Sequence, residues 1–159
     1  MKGNDKIIAA LNQLLADELT AISQYMVHAE MCDNWGYDKL HEAVEKQAFD
    51  EMHHAEWLIA RIIFLEGSPN VLKLNPIKIG KSVVDIIGND EEAELGAVRA
   101  YNDGIQLAHE VLDHATVDLL TTILKMEEGH VDWGEMQRDQ IEQMGLENYL
   151  SMQSKGASD

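Results

Sequence analysis

Four long segments with apolar residues at three- and four-residue steps dominate this sequence. The spacing predicts four long helices, over about residues 4–34, 37–66, 82–112 and 113–144. Gly36 and Gly145 follow the first and the fourth segment, where a glycine commonly ends a helix. We therefore expect an all-α fold in one domain, residues 1–159. It would comprise a four-helix bundle over 1–145, a short fifth helix over 146–153 and a frayed tail over 154–159.

The links between the helices predict how they are paired. Very few residues separate helix one from helix two and helix three from helix four, so each pair should form an antiparallel hairpin. The link between helices two and three covers residues 67–81, and about 15 extended residues span ~50 Å. Because a helix of about 28 residues is ~42 Å long, this link can return along the whole bundle. We therefore predict one long crossover between helices two and three.

Charge and composition exclude several classes of protein. The net charge of −17 argues against binding to nucleic acid through its phosphates, and it suits either a solvated surface or the attraction of cations. Cys32 is the only cysteine, so a disulfide-stapled secreted domain is not expected. The polar N-terminus does not resemble a signal peptide, and no apolar run approaches the ~20 residues that span a bilayer. We expect a cytoplasmic protein with no nucleic-acid or membrane partner.

The motif Glu-x-x-His occurs twice, at Glu51–His54 and at Glu127–His130. On a helix, positions i and i+3 share one face, so both side chains of each motif can reach one metal ion. Both motifs continue the apolar stripe of their helix instead of lying on the polar face. A single Glu-x-x-His recurs often by chance, so the position on the inner face carries more weight than the motif itself.

Helices one and three also place a glutamate among apolar neighbours. Glu18 lies between Leu15 and Ile22, near the middle of helix one. The inner stripe of helix three that holds Glu94 runs through Val84, Ile87, Val98 and Tyr101. Each of the four long helices is therefore predicted to carry one glutamate into the core.

Four carboxylates in one core require positive charge beside them. Burying even one without a partner costs several kcal/mol or forces its protonation, and a domain has only ~5–15 kcal/mol of net stability. No lysine or arginine lies on the inner stripes near these positions. Two divalent cations would balance the four carboxylates, and two imidazoles would complete the set of ligands. The predicted ligands, which would also form the catalytic centre, are Glu18, Glu51, His54, Glu94, Glu127 and His130.

Carboxylate and imidazole ligands suit iron or manganese, whereas a thiolate-rich set would suit zinc or an iron–sulfur cluster. The same ligand pattern is typical of di-iron and di-manganese carboxylate bundles. It favours oxidation of two Fe(II) ions by dioxygen or peroxide, with one electron from each metal. Tyr25 and Tyr101 lie on the same inner stripes. They would either hydrogen-bond a ligand or carry a transient radical, or they are ordinary core aromatics with a bonded hydroxyl.

With these residues in place, the chain resembles the bacterioferritins, the haem-containing bacterial ferritins, from Met1 to about Gln153. The segments that carry the resemblance are ELTAISQY at 18–25, DEMHHAE at 50–56, IFLEG at 63–67, EEGHVDW at 127–133 and GLENYL at 145–150. All six predicted ligands match the ferroxidase ligands of that family. The resemblance therefore implies a ferritin-like fold, two iron ions per subunit, Fe(II) as substrate, and O2 or H2O2 as oxidant.

The resemblance also implies a haem b that two subunits share through the Met52 of each. Met52 follows Glu51 and so points away from the predicted metal site, and a thioether is an established ligand of haem iron. On spacing alone, interface packing is the alternative, because methionine fills irregular gaps well. Helix one would line the haem pocket with Leu19, Ile22, Ser23 and Met26. Glu45 and His53 depart from the family, where tyrosine and lysine are common near the haem.

The family stores ferric mineral in a hollow shell of about 24 subunits built from two-fold dimers. The resemblance therefore implies such a homo-oligomer, with a ferredoxin-type protein as a candidate electron donor. The positions that resemble pore-lining residues are Asn34, Glu66, Asp132 and Asp139, and Asn148 would lie at a four-fold channel. Lys46 stands where some relatives carry histidine, which puts an additional inner iron site in question although Asp50 remains.

Two alternatives stay open at this point. One is a different di-metal enzyme on the same bundle, a rubrerythrin-type peroxidase or an oxygenase, although a rubredoxin-type centre would need four cysteines. The other is a non-catalytic haem-binding helical bundle. A DNA-protecting mini-ferritin is disfavoured, because its metal ligands lie at a subunit interface and its tails are often basic.

Overall fold

The computed structural model describes residues 1–156, and within that range it contains five helices and no strand. The helices are α1 (Asp5–Asn34), α2 (Asp38–Phe64), α3 (Val83–Glu110), α4 (His114–Met144) and α5 (Leu146–Ser151). The predicted all-α fold class, with a short fifth helix after the bundle, is confirmed. Of the predicted frayed tail, residues 157–159 lie outside the described part of the chain. Ser154 lies inside it, and its hydroxyl donates to the Gly36 carbonyl at 3.0 Å.

The helix ends follow from local chemistry. Ser82 caps α3, because its hydroxyl accepts from the backbone N–H of Asp85 at 3.2 Å. Asp113 caps α4 in the same way and also accepts from Arg61 at 2.7 Å, which joins the end of α2 to the start of α4. Gly145 has a φ of +79°, so the chain turns there from α4 into α5 without steric strain.

The predicted crossover between α2 and α3 is present as an extended strap along α1. It is tied to α1 at successive turns by five pairs of residues: Asn12 with Asn70, Gln13 with Lys73, Asp17 with Asn75, Gln24 with Lys78 and His28 with Gly80. Both numbers of each pair increase together, so the strap runs in the same direction as α1. Consequently α3 begins beside the end of α1 and runs antiparallel to it.

A buried polar network holds the end of the strap. His28 is fully buried, its Nδ1 lies 2.8 Å from Asp90 Oδ1, and its Nε2 accepts from the Gly80 backbone N–H at 2.9 Å. Gln24 adds a second bond to the same carboxylate oxygen at 2.8 Å. A Cβ at Gly80 would lie 2.7 Å from the Ile86 backbone nitrogen, so only glycine fits this close approach. The network joins α1, the strap and α3.

Two apolar clusters fill the bundle on either side of its middle. The larger includes Leu11, Leu15, Ala55, Leu58, Ile62, Tyr101 and Ile123, and the smaller consists of Tyr25, Ala29, Val44 and Ala48. On α1 and α2 the predicted glutamates stand between these two sets, in a layer that apolar packing closes above and below. The layer is therefore shielded from bulk water, which strengthens every charge interaction within it.

One detail of the predicted stripe on α3 is wrong. Val84 is 47% exposed, whereas Val83 and Ile86 are buried. The first turn of α3 packs in a cluster with Cys32 of α1, Leu40 of α2 and Tyr149 of α5, and Val83 and Ile86 face this cluster. Among the described residues, no helix is both long enough and apolar enough to span a bilayer.

Candidate metal centre

All six side chains predicted as ligands meet in the middle of the bundle. They come from four different helices, and none is more than 8% exposed. The set consists of Glu18 from α1, Glu51 and His54 from α2, Glu94 from α3, and Glu127 and His130 from α4. The i, i+3 spacing of each Glu-x-x-His motif places its two side chains on the inner face of one helix.

The six residues form two overlapping groups. In the His54 subsite, Glu18 and His54 join Glu51 and Glu127; in the His130 subsite, Glu94 and His130 join the same two glutamates. Within each subsite, one ligand atom from every residue lies within 4.8 Å of the others. The sharing of Glu51 and Glu127 is not predictable from the sequence, because it depends on how the helices are rotated against each other.

The shared glutamates turn one oxygen toward each subsite. Glu51 Oε2 lies 2.9 Å from His54 Nδ1, while its Oε1 lies 2.9 Å from His130 Nδ1. Glu127 repeats the arrangement, with Oε1 at 3.0 Å from His54 Nδ1 and Oε2 at 3.4 Å from His130 Nδ1. Glu18 and Glu94 each lie 3.5 Å from only one of the two imidazoles. The geometry is that of two adjacent positions bridged by two carboxylates.

Several atoms of this cluster are buried without a hydrogen bond. They are Glu51 Oε1, both carboxylate oxygens of Glu127, and His130 Nδ1. Although some of them lie close to one another, their geometry is not that of hydrogen bonds. Buried polar atoms are nearly always satisfied, and each unsatisfied one costs about 1–3 kcal/mol. Lone pairs that converge in this way fit divalent cations, and the oxygen and imidazole donor set fits iron.

Without a metal ion, protons balance the charge of the cluster. Burial, reinforced by neighbouring carboxylates, raises the pKa of Glu18 and of Glu94 well above the usual value. Burial alone would lower the pKa of His54, but the nearby carboxylates of Glu127, Glu18 and Glu51 outweigh it and raise that pKa to about 12. The pKa of His130 is likewise raised against the effect of burial, by Glu127, Glu51 and Glu94. The raised pKa of each of these four groups favours its protonated form, which offsets the negative charge of the cluster.

Two tyrosines fasten the outer glutamates. The Tyr25 hydroxyl of α1 donates to Glu94 of α3 at 2.5 Å, and the Tyr101 hydroxyl of α3 donates to Glu18 of α1. Both tyrosines are 1% exposed, and burial together with the facing carboxylates raises the pKa of each well above 10. Both hydroxyls are therefore donors at any ordinary pH. Their expected hydrogen bonding is present, and a radical role stays a prediction.

The site has an internal two-fold symmetry that is visible in the numbering. The two hairpins contain corresponding residues whose numbers differ by 76 in every pair. The pairs are Glu18 and Glu94, Glu51 and Glu127, His54 and His130, and Tyr25 and Tyr101. The α1–α2 hairpin and the α3–α4 hairpin therefore contribute equivalent halves. This constant offset is a sequence signal that could have predicted which tyrosine and glutamate correspond.

The outer ring nitrogens of the histidines contact two residues that sequence analysis did not place in the centre. His130 Nε2 lies 3.1 Å from Asp50 Oδ2, and Asp50 also accepts from Lys46 Nζ at 2.8 Å. His54 Nε2 lies 3.4 Å from the sulfur of Met126. These contacts orient both imidazoles so that Nδ1 faces the cluster.

A cavity of about 390 Å³ leads from the surface to the cluster between α1, α3 and the crossover strap. The shared glutamates and both outer glutamates line its inner end, and Asp17, Asn75, Lys78 and Glu92 are among the residues of its wall. Asn75 donates to Asp17 at 2.6 Å, and Lys78 donates to Glu92 at 2.7 Å, so the strap is fastened to both helices. The inner end of the cavity is therefore formed by the four carboxylates of the cluster.

The remaining predicted residues lie on the surface. Met52 is 39% exposed on the outer face of α2, and Met26 on α1 is 53% exposed. The other residues predicted for a haem pocket, Leu19, Ile22 and Ser23, are half-buried. All five predicted pore residues, Asn34, Glu66, Asp132, Asp139 and Asn148, are exposed. One chain alone does not bring these residues into a pocket or a pore.

Fold and site together define a helical bundle with a paired carboxylate–histidine centre, and comparison with known proteins gives the family. The family model of the ferritin-like domain matches residues 8–144. A bacterioferritin of Brucella melitensis is 35% identical over 159 residues, which cover 100% of this chain and 99% of the relative. A bacterioferritin of Streptomyces coelicolor is 40% identical over 95% of this chain and 90% of its own. A bacterial ferritin of Synechocystis is 37% identical over 154 residues, which cover 96% of this chain and 99% of the relative.

The chain therefore belongs to the ferritin-like family and, within it, to the bacterioferritins. The fold and the family expected from the sequence are both confirmed.

Proposed function

We propose that this protein stores and detoxifies iron by oxidising Fe(II) at the paired centre and depositing ferric mineral inside a multi-subunit shell. The observation that carries the proposal is the set of four buried carboxylates, one from each long helix, whose unpaired oxygens converge with two imidazoles. The names of the relatives, bacterioferritin and bacterial ferritin, support iron as the cargo.

The proposed reaction balances with two ferrous ions and one oxidant. Two Fe(II) give one electron each, and O2 takes both electrons with two protons to become H2O2. With H2O2 as oxidant, the same two electrons and two protons yield two waters. The four carboxylates neutralise two ferrous ions, whereas two ferric ions leave an excess of positive charge in the buried cluster. That excess favours hydrolysis and release of the ferric product.

Each residue has a distinct part in this proposal. Glu51 and Glu127 hold both ions, since each turns one oxygen toward each subsite. Glu18 and Glu94 hold one ion each, and the tyrosine hydroxyls fix their carboxylates. The cavity beside the crossover strap admits Fe(II), and its acidic wall attracts the cation.

The haem, the shell and the location belong to the same proposal. Met52 is exposed on α2 one helical turn from the exposed Phe49, which supports a thioether ligand shared with a second copy across a two-fold axis. A haem b bound there would supply a one-electron path between the exterior and the stored iron. A shell of about 24 subunits would cover these exposed apolar residues and bring the surface acids together as pores. A ferredoxin-type electron donor and a cytoplasmic location complete the proposal.

The decisive experiment loads metal-free protein with two Fe(II) per subunit without oxygen and then adds air. We expect rapid, stoichiometric formation of Fe(III), which is measured by its absorbance. Glu127→Ala removes a shared ligand and should leave only slow autoxidation. Glu128→Ala is the matched control, because it removes the neighbouring exposed carboxylate from the same helix and should react like the parent.

Equal rates in the two variants would overturn the ferroxidase proposal and favour a non-catalytic bundle. Gel filtration tests the assembly, since a shell elutes far ahead of a dimer. A dimer with rapid peroxide-dependent oxidation would favour the rubrerythrin-type alternative.

A further inference from the structure

The two subsites differ in the residue that contacts the outer ring nitrogen of each histidine. His130 Nε2 faces the carboxylate of Asp50 at 3.1 Å, whereas His54 Nε2 faces the sulfur of Met126 at 3.4 Å. Asp50 and Met126 occupy equivalent positions of the two hairpins, because each immediately precedes the shared glutamate of its own helix. The internal symmetry that relates the six ligands is therefore broken at this pair.

A carboxylate and a thioether act very differently on an imidazole. A histidine that binds metal through Nδ1 carries its remaining proton on Nε2, and that N–H needs an acceptor. A carboxylate fixes the ring and increases its strength as a ligand, whereas a thioether sulfur is a weak acceptor. Changing such an outer partner typically alters metal affinity by about 10–100-fold.

Asp50 is well placed to act as this acceptor. It is half-buried and lies within 2.8 Å of Lys46, which is mostly exposed. The chain Lys46–Asp50–His130 therefore extends from the surface to the His130 subsite. Behind His54 the corresponding position offers only the half-buried Met126.

We propose that Asp50 and Met126 make the two subsites unequal. The His130 subsite binds the first divalent ion, and the His54 subsite binds the second about 10–100-fold more weakly. Asp50 and Met126 are positioning residues, since they act on the metal only through the imidazoles. The inference rests on the proposed function, because it requires that both subsites bind metal. Its consequence is that the ion beside His54 exchanges faster than the ion beside His130.

Stepwise metal binding tests the proposal without turnover. Metal-free assembled protein is titrated with Co(II) without oxygen, by d–d absorbance and calorimetry, and two steps of one ion per subunit are expected. Glu18 touches only the His54 subsite and Glu94 only the His130 subsite. Glu18→Ala should therefore keep the tight step, and Glu94→Ala should lose it.

Substitutions of Asp50 and Met126 then test why the two subsites differ in metal affinity. Met126→Asp should tighten the weak step about 10–100-fold, so that both subsites bind alike. Met136→Asp is the matched control, because it adds the same charge to α4 at a side chain that is 49% exposed, and it should change neither step. Asp50→Leu should weaken the tight step by a similar factor, and Asp50→Asn, which keeps an acceptor oxygen, should recover part of the loss. Circular dichroism and gel filtration check that each variant folds and assembles.

Three results would overturn the inference: equal affinities in the parent protein, loss of the tight step in Glu18→Ala, or a Met126→Asp protein that matches Met136→Asp. Binding of fewer than two ions per subunit would instead overturn the proposed function itself.

Discussion

Metal binding at the centre should release protons, and the structure gives their number. In the metal-free protein, a raised pKa favours the protonated form of four groups: Glu18, Glu94, His54 and His130. All four must lose that proton to become ligands. Two divalent ions would then replace about four protons, or about two per ion, and the charge of the buried cluster would not change.

The same count sets the pH dependence of affinity. Each proton released contributes about a factor of ten per pH unit, so affinity should fall about 100-fold per ion for each unit of acidification. The sign follows from the raised pKa values: the lower the pH, the more strongly protons compete with metal.

Calorimetric titration of metal-free protein with Zn(II), in buffers of different ionisation enthalpy, measures the released protons directly. Zn(II) is redox-inert, so no oxidation contributes to the heat. Glu94→Gln removes one of the protonated groups and should lower the total, whereas Glu128→Gln changes an exposed residue and should not. Fewer than about one proton per ion, or an affinity that does not depend on pH, would refute the reasoning.

Three further outcomes are expected from single substitutions. Tyr101→Phe removes the donor to its glutamate and should weaken metal binding about 10–100-fold, in a Co(II) titration. Met52→Leu should abolish haem absorbance while rapid iron oxidation persists, and unchanged haem content would contradict the assigned ligand. His28→Ala leaves Asp90 buried without its imidazole partner, so it should lower the free energy of unfolding by about 3–5 kcal/mol. His53→Ala, at a 52% exposed side chain, is the control in the same urea titration and should stay within about 0.5 kcal/mol of the parent.

The features that the sequence predicts correctly are those that depend on one face of one helix. The inner stripe of each helix is set by the 3.6-residue period, so a glutamate on that stripe can be placed in the core without knowing the other helices. Helix bounds follow from caps such as Ser82 and from glycines such as Gly145. Both kinds of information are local.

The remaining features depend on contacts between distant segments. Glu51 and Glu127 become shared because of the relative rotation of α2 and α4, which no local pattern reports. His28 and Asp90 are 62 positions apart, and nothing in their own helices pairs them. Val83 is buried and Val84 is exposed, because the first turn of α3 packs against residues of α1, α2 and α5. In each case the missing information is the geometry between helices.

The crossover explains why the two halves of the site can be equivalent. Each tyrosine follows the glutamate of its own helix by seven residues, or about 10.5 Å along the axis. The strap makes α3 antiparallel to α1. The chain therefore rises by this length from Glu18 to Tyr25 and descends by the same length from Glu94 to Tyr101. As a result, each tyrosine lies level with the glutamate of the other helix. With a short link, α3 would run parallel to α1 and both tyrosines would be displaced the same way. One of the two hydrogen bonds could then form, but not both. The long crossover is therefore a requirement of the paired centre, and the strap contacts along α1 are part of what builds it.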